Sequence, residues 1–174
     1  MKNGDLMYNI KKPMLICLAG VFAALCCVAT LISVPLPFGY FNLGDIFVLV
    51  SGWILGPIGA IAAAIGSAAA DLYLGFAVYA PATFIIKGCM ALLAAYTYKW
   101  IGNKVTKKLP LLLLSAIIAE CIMVFGYFAY EAFVLGYGMG ALASVLGNCL
   151  QALSGIIGGT ALFLALRTTK LFYR

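Results

Sequence analysis

Apolar residues along this chain fall into long blocks, and the breaks between them are marked by proline, glycine or charge. A helix needs roughly 20 apolar residues to cross the hydrocarbon of a bilayer. Leu15 to Val34 meets that length and stops at Pro35, Pro37 and Gly39. A short block, Ile46 to Leu55, follows a turn-rich aromatic stretch and ends at Gly56-Pro57. Further blocks run from Ile58 to about Gly75, Thr83 to Tyr98, Leu111 to Tyr130 and Ala141 to Leu166. The pattern predicts an all-α integral membrane bundle of six transmembrane helices with a short second helix, in a single domain over residues 1–174. Short segments interrupted by glycine and proline are tolerated in membranes where protein or an aqueous cavity satisfies the freed backbone. Ile46 to Leu55 is thereby marked as packed interior or as part of a site.

Composition agrees with a lipid setting: 66% of the 174 residues are hydrophobic, 9% are charged and the mean hydropathy is +1.13. The 19 glycines and runs such as Ile61-Ala62-Ala63-Ala64 suit close helix approach where water supplies no hydrophobic push. Cys17, Cys26, Cys27, Cys89, Cys121 and Cys149 all lie in apolar blocks. Without CxxC spacing or any histidine they read as small buried hydrophobes rather than a zinc site or disulfide framework. Lys2, Lys11 and Lys12 ahead of the first block resemble the start of a signal peptide, but the series of later blocks makes it a retained first helix.

The net charge of +6 is distributed in a way that argues for topology and against nucleic-acid binding. Lys2, Lys11 and Lys12 precede the first block, Lys99, Lys104, Lys107 and Lys108 separate the fourth and fifth, and Arg167, Lys170 and Arg174 follow the sixth. Six crossings place all of these on one side, and basic residues are retained in the cytoplasm. Both termini are expected to be cytoplasmic in a multi-pass protein of a bacterial plasma membrane. The outer loops are then Pro35 to Asp45, Phe76 to Ala82 and Glu131 to Gly140, rich in aromatics and glycine and free of lysine and arginine.

Charge inside a membrane is costly and usually faces a bundle interior or cavity, paired with something. Asp71, Lys87 and Glu120 interrupt apolar blocks, and Asp45 stands at the start of the second. Matched depths near the outer ends of the third and fourth helices lead us to expect an Asp71 to Lys87 ion pair. Asn148 and Gln151, three apart, share a helix face and offer both donors and acceptors to a heteroaromatic ring. In the first block, Ala19 with Ala23 and Gly20 with Ala24 form adjacent small-residue strips, a docking face for a helix of this bundle or of a partner. There is no GxxxxGK[ST] motif for ATP phosphates and no visible pair of repeated halves.

Taken in order, small-xxx-small in the first helix, Phe41-Asn42-Leu43-Gly44-Asp45, Gly56-Pro57-Ile58-Gly59-Ala60, Ala70-Asp71 and Pro81-Ala82-Thr83-Phe84-Ile85-Ile86-Lys87-Gly88 resemble the substrate-binding S component of energy-coupling factor (ECF) vitamin transporters. The resemblance implies a non-enzymatic capture subunit that binds a small vitamin or precursor from outside. It has no cofactor of its own, and its partners are a transmembrane coupling protein and two cytoplasmic ATPase subunits that use the ATP. It assigns Ala19, Gly20, Ala23 and Ala24 to the coupling protein, and Tyr40, Phe41 and Asn42 to a lid. With them, Asp71, Tyr79, Lys87, Glu120, Asn148 and Gln151 are the candidate substrate residues. The FNLGD and APATFIIKG pieces look closer to a branch handling hydroxymethylpyrimidine or pyridoxine than to a riboflavin binder. Pantothenate stays open, because Lys87 is a possible partner for its carboxylate. Two other classes compete: a lipid-directed membrane enzyme using Asp71, Glu120 and Glu131, and a structural adaptor with a packed outer face.

The charge asymmetry predicts that a membrane-impermeant label applied to intact cells leaves Lys99 and Arg174 unmodified until the membrane is opened. Labelling of either in intact cells overturns the orientation.

Overall fold

The computed structural model describes residues 12–35, 40–102 and 108–168. Lys2, Lys11, Lys104, Lys107, Lys170 and Arg174 lie outside the described residues. Six helices follow in order: α1 (Lys12–Leu31), α2 (Gly44–Leu55), α3 (Pro57–Tyr73), α4 (Ala80–Gly102), α5 (Lys108–Ala129) and α6 (Leu142–Thr168). Between α1 and α2, strands β1 (Ser33–Pro35) and β2 (Tyr40–Asn42) pair antiparallel, with Val34 opposite Phe41 and Pro35 opposite Tyr40. The sequence reading treats this stretch as irregular. Its β-branched and aromatic residues take an extended form, in which the two strands satisfy each other's backbone.

Four helical stretches, Lys12–Leu31, Ala80–Lys99, Leu109–Val134 and Gly138–Thr168, are long and apolar enough to cross a membrane. At 12 and 17 residues, α2 and α3 fall below that length. A rise of about 1.5 Å per residue makes α2 about 18 Å long. It does not face lipid. Val48, Leu49, Val50, Trp53, Ile54 and Leu55 are all buried, and α2 packs against α1, α3, α4 and α6. Apolar residues instead stand exposed on the surrounding helices, among them Val21 and Val28 of α1, Ile61 and Ile65 of α3, Ile85 of α4, Ile117 of α5 and Leu153 and Ile157 of α6.

Close packing around α2 requires specific small residues. Gly56 has φ +60°, in the left-handed region that disfavours a side chain, and its N–H bonds to the Gly52 carbonyl at 2.8 Å to close α2. Pro57 then opens α3 with a fixed φ and no N–H to satisfy. A Cβ at Gly52 would collide with the Ala91 carbonyl of α4, and one at Gly66 of α3 with the Ala23 carbonyl of α1.

The α1 strips therefore divide. Ala19 and Ala23 pack within the bundle, whereas Gly20 and Ala24 are exposed and Gly20 has open space at its Cβ position. Phe22, Cys26, Ala29 and Thr30 are the buried residues of α1. Cysteine placement corrects the expectation of burial: Cys26 is buried and Cys27 intermediate, but Cys17, Cys89, Cys121 and Cys149 are exposed on the bundle surface. Surrounded by lipid, that surface is as apolar as the core, so a small hydrophobe is compatible with either.

Gly52→Ala is expected to lower the thermal stability of the purified protein by about 1–3 kcal/mol, since two helix backbones must part to admit one methyl group. Gly20→Ala is expected to stay within about 0.5 kcal/mol of the parent. Equal effects in thermal unfolding would refute the close approach of α2 and α4.

Candidate functional site

The first turn of α2 delivers Asp45 into the centre of the bundle with no exposure at all. Lys87, two turns into α4 and 4% exposed, forms its ion pair with Asp45 Oδ1. The expected pairing of Lys87 with Asp71 is thus corrected. Both acids are fully buried, but packing brings Lys87 to Asp45, while Asp71, at the end of α3, accepts a 2.7 Å hydrogen bond from the Tyr40 hydroxyl. A buried charge stripped of its partner is far more costly than an intact pair, so the Asp45–Lys87 contact constrains how the bundle packs.

The pair continues into a polar chain. Gln151 Nε2 of α6 donates to Asp45 Oδ2 at 2.8 Å, and Gln151 Oε1 accepts from Asn42 Nδ2 at 2.9 Å. Asn42 Oδ1 in turn accepts the Gly44 N–H at 2.8 Å, where the chain enters α2. Four elements are joined by side chains that satisfy one another: α4, α2, α6 and the hairpin. Lys87 Nζ also lies 5.5 Å from the centre of the Tyr127 ring of α5, a favourable placement for a cation. Glu120 of α5, 2% exposed, lies behind Gly155, and neither of its carboxyl oxygens has a hydrogen-bond partner among the described residues.

Directly above this network a recess opens at the end of the bundle where the hairpin, the α3–α4 loop and the α5–α6 connection meet. Tyr40, Asn42, Phe76, Tyr79 and Tyr127 line one part, and Glu131, Ser144, Gly147, Asn148 and Gln151 the other. Its cavity volume is small, about 80 Å³. Aromatic rings form its roof: Tyr40 stacks on Phe76 at 5.2 Å with planes 29° apart, and Phe76 meets Tyr79 edge-on at 6.3 Å. Burial and the neighbouring Asp71 carboxyl raise the Tyr40 phenol above its usual range, so it stays a donor at neutral pH.

Of the expected substrate residues, Tyr40, Asn42, Tyr79, Asn148 and Gln151 line the recess. Phe41 is half-buried on β2 outside the lining, Asp71 anchors Tyr40, and Lys87 and Glu120 lie beneath in the core. Phe76, Tyr127, Ser144 and Gly147, none of them expected from the sequence, complete the lining together with Glu131, which the sequence offered only as an acid of the enzyme alternative. Some of the signal was there. Ser144, Gly147, Asn148 and Gln151 follow the spacing of one helix face, and Tyr127 and Glu131 are four apart. Asn148 Nδ2 is buried with no partner among the described residues.

Lys87→Met strands the Asp45 carboxylate in a dry interior and is expected to destabilise the protein by about 3–5 kcal/mol. The double variant Asp45→Asn with Lys87→Met removes both charges and is expected to recover part of that loss. Denaturant or thermal unfolding in detergent reads both. A double variant no more stable than the single one would contradict the pairing.

Comparison with known proteins completes the picture of the site. A model of the family described as ECF-type riboflavin transporter, S component, matches residues 11–168. A protein of Pyrococcus woesei described as an uncharacterized protein in gap 3'region is 33% identical over 135 residues, covering 76% of this chain and 86% of that protein. The family description names riboflavin, where the sequence pieces had pointed to hydroxymethylpyrimidine or pyridoxine. The match spans every helix and all ten residues that line the recess, and the chain belongs to the family of ECF-type riboflavin transporter S components.

Proposed function

We propose that the protein captures a planar, water-soluble heteroaromatic vitamin in the recess beneath the hairpin and presents it for ATP-driven import. The observation that carries this reading is the lining: rings from Tyr40, Phe76, Tyr79 and Tyr127 beside amides from Asn42, Asn148 and Gln151. Rings stack on a flat ligand, and amides meet ring nitrogens and carbonyls with donors and acceptors together. Riboflavin is the first candidate, since the family description names it. A single pyrimidine or pyridine ring, as in hydroxymethylpyrimidine or pyridoxine, is the second reading, favoured by the small volume of the recess.

Pantothenate fits less well. Lys87 is buried and engaged by Asp45, and among the described residues no lysine or arginine lines the recess to meet a carboxylate. The family membership makes this a non-enzymatic subunit. The acids of the lipid-enzyme alternative lie in different settings: Asp71 with Tyr40, Glu131 with Ser144 and Tyr79, and Glu120 behind Gly155. An adaptor with a packed outer face would not leave a recess there.

In this reading the helices span the cell membrane with both termini cytoplasmic. Supporting this, Lys99 and Arg167 lie at the far ends of α4 and α6, opposite the recess. The work of transport comes from a membrane coupling protein and two ATPases, with Gly20 and Ala24 of α1 as exposed small residues available for docking.

Calorimetry on the purified protein without ATP, across riboflavin, hydroxymethylpyrimidine, pyridoxine and pantothenate, is expected to show tight one-to-one binding of one of the first three. Silence across the panel defeats the proposal, and a preference for pantothenate defeats the heteroaromatic reading.

A further inference from the structure

Among the described residues, Glu131 is the one carboxylate in the lining of the recess, and no lysine or arginine shares that lining. It lies in a π-helical turn, Tyr130–Val134, that continues α5, and it is the buried residue of that turn at 7% exposure. Such turns insert a residue into a helix and are frequent at functional sites, because they redirect a side chain without ending the helix. Four residues after Tyr127, Glu131 continues the stripe that faces the recess.

Its immediate partners are hydroxyls. Tyr79 donates to Oε1 at 3.4 Å, and the Ser144 hydroxyl lies against Oε2 while also 2.9 Å from the Ala141 carbonyl. One serine proton cannot fully serve both acceptors, and a carboxylate has about four lone-pair positions. Burial and the Glu131 charge together raise the Tyr79 phenol above its ordinary range, so Tyr79 remains a donor. Acceptor capacity is therefore left over on Glu131. One helical turn along α6 from Ser144 stands Asn148, whose buried Nδ2 donor has no partner among the described residues. A carboxylate with acceptor capacity to spare and a donor without a partner among the described residues thus border one recess.

Resting on the capture reading above, we propose that Glu131 is a specificity-determining residue of the recess. Its carboxylate accepts a hydrogen bond from a ligand N–H or O–H, while Asn148 Nδ2 donates to a neighbouring ligand acceptor. The pair selects a ring edge that carries donor beside acceptor, and the uncompensated charge of Glu131 rejects ligands bearing a carboxylate. Leaving either group unmet on binding the wrong ligand incurs the desolvation cost of a buried polar group, which is how such sites discriminate.

The test titrates the full-length protein in detergent or nanodiscs with riboflavin, hydroxymethylpyrimidine, pyridoxine and pantothenate. Wild type is compared with Glu131→Gln, Glu131→Asp and Asn148→Ala. For whichever heteroaromatic probe the wild type binds best, Glu131→Gln is expected to weaken binding by about 10- to 100-fold, the range of a hydrogen bond to a charged group. Pantothenate binding should not weaken, and should gain on the heteroaromatic probe. Glu131→Asp keeps the charge and should keep the rejection of pantothenate even as it loosens the ring. Asn148→Ala should weaken the same probe by about tenfold with that rejection intact. Should Glu131→Gln fail to fold by thermal unfolding, Glu131→Asp and Asn148→Ala decide the question through the same split. Wild-type binding that none of the folded variants changes overturns this proposal alone. Absence of binding by the wild type overturns the capture reading and this one with it.

Discussion

The ion pair between Lys87 and Asp45 is the constraint around which the bundle is organised. Both groups are almost fully removed from solvent, in a protein whose outer surface is itself apolar. Neither charge has water to fall back on, so each fixes the position of the other. Because Asp45 opens α2 and Lys87 lies two turns into α4, their contact sets how deep α2 sits against α4. Gly52 then allows the two backbones to touch through Ala91. Polar and steric requirements are satisfied by the same placement.

From that pair the structure extends outward in steps. Gln151 fills the second Asp45 oxygen and in turn holds Asn42, which holds the Gly44 N–H at the entry to α2. The hairpin that roofs the recess is thereby tied to the buried charges beneath it. A second tie runs from Tyr40 to Asp71, on the opposite flank of the hairpin. The recess is polar below, aromatic above and bordered by Glu131, a division set by which elements reach each side.

A central short helix follows from the same physics. Lipid requires a spanning helix to match the hydrocarbon thickness only when that helix faces lipid. Enclosed by α1, α3, α4 and α6, α2 has no such requirement, and its 12 residues end where Gly56 and Pro57 reverse the chain. The opposite end of the bundle is closed by a different device. Trp53 packs on Phe163 at 5.2 Å and donates to Ser115 at 3.0 Å, while Tyr98 meets Phe163 edge-on and accepts from Arg167.

The sequence by itself determined the membrane setting, the number of helices and their limits to within a few residues. Those depend on block length and on proline and glycine breaks, which are local properties. It also drew attention to Asn148 and Gln151, three apart on one helix face, while Tyr40 and Asn42 came with the family resemblance. Which acid takes the lysine was decided only by the tertiary structure. Asp45 and Asp71 are both fully buried, and what separates them is which neighbour packing brings within reach: Lys87 of α4 for Asp45, the Tyr40 hydroxyl for Asp71. Likewise the hairpin pairing, the outward turn of four cysteines and the inward turn of Glu131 each depend on which surface another segment covers. In lipid, hydrophobicity no longer distinguishes inside from outside, so the facing of each helix has to come from contacts distant in the chain.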